Sequence, residues 1–160
     1  MSTTPGKLGL IVQKIYSTVE ALTPTYEAAR TFQRYRMLEP LELADPNQSF
    51  RNFRVQVPSV GPGDIQAQST QRCKAAQLAV AVSYPLAYFA ARAEDDDFLG
   101  VEVYREDDGA KIVNALAHAR PLALQDGTIS NVRSIVWRGS RLVGRLWVMS
   151  FDVQYMEVLS

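Results

Sequence analysis

Apolar residues recur every three or four positions over residues 7–22, at Leu8, Ile11, Val12, Ile15, Val19 and Leu22. That spacing gathers them on one face of a helix. Thr23 and Pro24 end it, because proline has no N–H to continue the hydrogen-bond ladder. A helix covering a sheet fits better than one lying on a membrane surface, since it carries few basic residues. After the helix the period shortens to two. Residues 28–38 alternate weakly, and Phe32 and Tyr35 mark a short strand. "ADPNQS" follows with the residues that turns favour. In "FRNFRVQVPSV", Phe53, Val55 and Val57 face one way and Arg54 and Gln56 the other, with Pro58 ending the strand or making it an edge. Residues 61–70 ("GPGDIQAQST") have the composition of a mobile loop.

Residues 71–84 are ambiguous. Their first half suits a helix, and their second half, Leu78 to Tyr84, alternates as a strand. Pro85 closes it, and "AYFAARAEDDDF" is a connection or short helix. Residues 100–119 read as a helix with Val103, Ile112, Val113 and Leu116 on one face, ended by Pro121. Gly109 suggests a break at residues 107–109, after which Asp107 or Asp108 would act as a cap. Asp126 and Gly127 signal a turn. Ile129, Val132, Ile135 and Val136 suggest a strand, "RGSRLVG" a connection of five to seven residues, and "LWVMSFDVQY" a last strand with Trp147, Met149, Phe151, Val153 and Tyr155 on its apolar face. The order helix, strand, strand, strand, helix, strand, strand predicts one α+β domain over residues 1–160, with a mostly antiparallel sheet and helices on one face. The other face must be solvated or covered by something else.

Composition narrows the function. The 160 residues carry 17 basic and 17 acidic side chains, so the strongly basic balance of a free-standing DNA-binding domain is absent. No run of about 18 apolar residues offers a membrane span, and the N-terminus lacks a secretory core, so a cytoplasmic protein is expected. Cys73 and His118, the single cysteine and the single histidine, build neither a disulfide nor a metal cluster. Cys73 reads as a buried thiol, and His118 as a structural or surface residue near a helix C-terminus. Glu94, Asp95, Asp96 and Asp97 form a carboxylate run, but they lack the alternating ligands and central glycine of a calcium loop. Gly61 and Gly63 make no phosphate loop, and no nucleophile elbow occurs. No catalytic, cofactor or metal residues are therefore assigned. Arg34, Arg36, Arg51 and Arg54, with Glu94 to Asp97, are instead the candidates for subunit contacts: a basic side and an acidic side would let copies pair head to tail and close into a ring.

Three features carry a family resemblance. They are the helix from Leu8 to Leu22 followed by short strands, the segment "QRCKAAQLAVAVSYP", and the closing hairpin "SNVRSIVWRGSRLVGRLWVMSFDVQYME". Together they resemble the tail terminator proteins of tailed bacteriophages and related tail-like particles. Residues 61–70 and the acidic run match no feature of that family. The resemblance implies a structural virion protein of the tail or neck, assembled in the host cytoplasm. Such a subunit forms a ring, typically of six copies, that caps the tail tube, stops its polymerisation and joins it to the head-side connector or stopper. It uses no cofactor or catalytic residue, and nucleic acid only passes through the lumen. The competing readings are another neck or head-completion subunit, a small enzyme or ligand-binding domain around His118 or Glu94, and a nucleic-acid binder using Arg30 to Arg54.

Overall fold

A computed structural model describes residues 7–63, 71–117 and 132–158. The elements are α1 (Lys7–Glu20), β1 (Gln33–Arg34), a 3-10 turn (Leu41–Leu43), β2 (Asn52–Pro62), β3 (Gln71–Ser83), α2 (Leu86–Ala90), α3 (Val101–Leu116), β4 (Val132–Val143) and β5 (Leu146–Val158). The strands form one sheet in the order β1-β2-β3-β5-β4, antiparallel except for the short parallel pair β1–β2. The fold is α+β with its helices on one side, as the pattern predicts.

The alternation of β3 and β5 builds two faces. Leu78, Val80, Val82, Met149, Phe151, Val153 and Tyr155 point to the helices and are buried with Ile11, Ile15 and Val19 of α1 and Ile112 and Leu116 of α3. Ala79, Ala81, Leu146 and Val148 point to the other face, where Tyr35 and Leu41 from the segment around the 3-10 turn cover them. Arg145 ties that segment down, donating from Nη2 to the carbonyls of Leu41 and Ala44. Beyond the covered patch, Ser59, Gln77, Ser134, Arg138 and Asp152 line a polar part of this face.

Several local expectations change. The first half of residues 71–83 is strand, since β3 pairs with β5 from Gln71 to Ser83 and with β2 on its other side. Pro58 does not end β2; it sits in a bulge between Gln56 and Ser59, where the ladder is already interrupted. The final hairpin closes through only Gly144 and Arg145, because β4 runs on to Val143. Gly144 takes φ +59 there, a turn conformation that glycine adopts without a Cβ clash. Helix α3 is unbroken, so Asp107 and Asp108 are interior positions and cap nothing. Gly109 lets α3 lie close on β5: a Cβ at this position would come 3.0 Å from Trp147 Nε1. His118, Pro121, Asp126, Gly127, Ile129 and residues 64–70 lie outside the described residues.

Candidate functional site

Arg51 departs most from expectation. Its side chain is fully buried, so it belongs to the core and is withdrawn as a subunit-contact candidate. Its backbone takes φ +62, a conformation non-glycine residues rarely hold. The backbone N–H donates to the Ser83 carbonyl at 2.9 Å. A guanidinium has five N–H donors, and all five are used. Nε and Nη2 form a fork onto the Asp108 carboxylate at 2.8 and 3.2 Å. Nη2 also donates to the Tyr26 carbonyl, and Nη1 to the carbonyls of Glu27 and Arg30. Tyr84 donates its hydroxyl to Asp108 Oδ2 at 2.7 Å. Burial pushes the Asp108 carboxyl above its ordinary range, and Arg51 and Tyr84 offset that only in part. The hub joins the loop over residues 21–32, the end of β3 and the middle of α3. The buried positions of α3 include Val101, Tyr104, Asp108, Ile112 and Leu116. A carboxylate on that apolar stripe was the available sign of a buried cationic partner.

An aromatic cluster surrounds the hub. Phe50 stacks on Tyr88 at 4.5 Å and meets Phe89 edge-on at 5.1 Å. Tyr88 donates to Glu27 Oε2 at 2.8 Å, and Arg92 pairs with Glu27 at 2.9 Å. Burial raises the Tyr84 phenol well above its usual value, and Asp108 raises it further. Burial and the Glu27 carboxylate raise Tyr88 and Tyr104 as well. A phenol whose folded pKa exceeds its unfolded value of about 10 gives stability that is intact below that pH and is lost above it. The urea midpoint is therefore expected to hold up to about pH 10 and to fall as pH rises above it, less steeply in Tyr84→Phe. An equally steep loss in Tyr84→Phe would remove Tyr84 from this account.

The other contact candidates divide. Arg34 pairs with Glu20 at 2.7 Å and lies over the Tyr16 ring. Arg54 donates to the Met37 carbonyl and lies over Tyr35. Arg36 is exposed and makes no ion pair among the described residues. Glu94, Asp95, Asp96 and Asp97 are all exposed, in the turn between α2 and α3. The expected basic side is thus largely used within the subunit.

The surface that pattern reading missed is β4. It is the last strand of the sheet, and among the described residues no strand pairs with its outer edge. Trp137 is 46% exposed and Leu142 48%, with Val136 and Val143 also open. Arg133, Arg138 and Arg141 project from the same strand; Arg138 pairs with Asp152 at 2.6 Å. Between β4 and α3 lies a cleft of about 450 Å³ lined by Gly109, Ala110, Val113, Trp137 and Trp147. Trp137 Nε1 donates to Ser140 Oγ at 3.1 Å, which fixes the ring at the cleft mouth. Among the described residues, no three His, Cys, Asp or Glu side chains group as metal ligands. No helix among them is long and apolar enough to cross a membrane. Cys73 is buried, as expected.

No protein-family model matches the chain, and no curated protein matches it.

Proposed function

We propose that this chain is a structural ring subunit of the kind its sequence resembles, a phage-type tail terminator. Copies of it would cap a tail tube, stop its growth and join it to a head-side connector, with nucleic acid passing only through the lumen. The observation that supports this reading best is β4, a strand of 12 residues with exposed apolar side chains and an outer edge that no strand pairs with among the described residues. An edge of that length is a liability for a lone subunit and an asset for one that assembles. The core is built to hold such an edge rigidly, because β4 is clamped along its inner side to β5. The binding roles here are structural rather than catalytic.

Negative-stain images of the purified protein test the reading. Closed rings with a central opening are the expected result. Fields of single-subunit particles would overturn it. A second reading, a small-ligand domain, draws on the tryptophan-lined cleft beside α3. Saturable binding of an aromatic fragment to a monomeric protein would favour it.

A further inference from the structure

The ring reading requires two different surfaces on each subunit, and the structure suggests which they are. We infer that the outer edge of β4 in one copy docks against the acidic α2–α3 turn of the next copy. This inference rests on the proposed ring and adds the contact to it.

The occupant follows from charge and position. Among the described charged residues of residues 132–156, Arg133, Arg138, Arg141 and Arg145 face a single acid, Asp152. Asp152 is taken by Arg138, which leaves Arg133 and Arg141 exposed on β4 without an ion pair among the described residues. The opposite balance occurs at residues 94–97, where Glu94, Asp95, Asp96 and Asp97 are all exposed and unpaired among the described residues. Each surface also carries apolar area, Trp137 and Leu142 on β4 and Leu99, 57% exposed, beside the acidic turn. Apolar centres flanked by charge of opposite sign are what a specific interface needs: the apolar part supplies affinity, and the charges set register and exclude wrong pairings.

The elements that lead into the two surfaces meet different parts of the sheet. Helix α2 is seated on Phe50, the residue that leads toward β2, through the Tyr88 and Phe89 contacts. Strand β4 is at the far edge of the sheet, with β3 and β5 between. Three strand spacings separate β2 from β4, roughly 14 Å. A contact made head to tail between the two surfaces passes from copy to copy until the rotation closes it, as the proposed ring requires, whereas a reciprocal two-fold contact would stop at a dimer.

The test is a charge exchange read by sedimentation and native mass. The chains compared are the unmodified protein, Arg133→Glu with Arg141→Glu, Asp95→Lys with Asp96→Lys, and all four changes together. All four positions are exposed, and matching circular dichroism and melting curves confirm that each chain folds. Each pair alone is expected to weaken self-association at least ~10-fold at low salt, and the four together to restore most of it. Trp137→Ala is expected to weaken association by a similar factor without changing its salt dependence, as a buried aromatic anchor would. Assembly that neither reversal alters would overturn this contact and leave the ring reading standing. An unmodified chain that stays monomeric at low salt would overturn both.

Discussion

Asp108→Ala is expected to destabilise the fold by roughly 3–5 kcal/mol, because it leaves the Arg51 guanidinium charged and buried without its counter-ion. The magnitude comes from the geometry of the pair. Both side chains are fully buried, the carboxylate accepts two guanidinium bonds, and no solvent reaches either group to replace them. Tyr84 would lose its acceptor in the same substitution. Arg51→Met is expected to cost a similar amount for a different reason: it strips the carbonyls of Tyr26, Glu27 and Arg30 of their donors and leaves Asp108 as the lone buried charge. Arg51→Met combined with Asp108→Leu should cost clearly less than the sum, since no unpaired charge remains. Urea unfolding of the four proteins measures this cycle. A loss below about 1 kcal/mol in Asp108→Ala would mean that the site takes up water and is not the rigid hub described here.

Phe50→Ala is expected to lose roughly 3–5 kcal/mol, the usual range for emptying a buried phenylalanine site. Phe50 lies at the centre of the aromatic cluster. Tyr84, Tyr88, Phe89 and Tyr104 all meet its ring, and the Arg51 guanidinium lies 4.6 Å from its centroid. The cavity would open at the junction of three segments, so little of the surrounding chain can collapse into it without moving α2. That connects the core to the assembly surface. Once α2 is no longer seated on Phe50, the acidic turn after it loses its fixed position. Phe50→Ala should therefore lower both the melting temperature, by roughly 10 °C for a chain of this size, and the tendency to self-associate. Phe50→Leu, which refills most of the volume, should recover the larger part of both. Recovery of melting temperature without recovery of association would break the proposed link between the cluster and the turn.

Much of this architecture follows from periodicity. The three-and-four spacing of Ile11, Ile15 and Val19 and the strict alternation from Trp147 to Tyr155 each mark a face that the core then uses. What escaped the pattern did so for identifiable reasons. Residues 71–77 hold two Gln, two Ala, an Arg and a Lys, residues that suit helices, and only pairing on both sides, with β2 and β5, makes them strand. The "RGSRLVG" stretch reads as a turn because it belongs to an edge strand, whose outward positions need not be apolar. The same cause hides the β4 surface, since exposed Leu142 and Val143 stand in a stretch that reads as a connection. Arg51 could not be separated from Arg34, Arg36 and Arg54 by composition. Its burial depends on Asp108, 57 residues away, and on carbonyls of a loop with no periodicity. The acidic run at residues 94–97 was legible as an exposed patch, whereas its basic complement was not, because the arginines nearest in pattern are mostly spent on Glu20, Asp108 and the Met37 carbonyl.

The most direct measurement is the native mass of the full chain at low and at high salt. The ring account expects a discrete closed oligomer at low salt, with one dominant copy number, that loosens as exposed charge pairs are screened. A single species with the mass of one chain at every concentration and salt would contradict it.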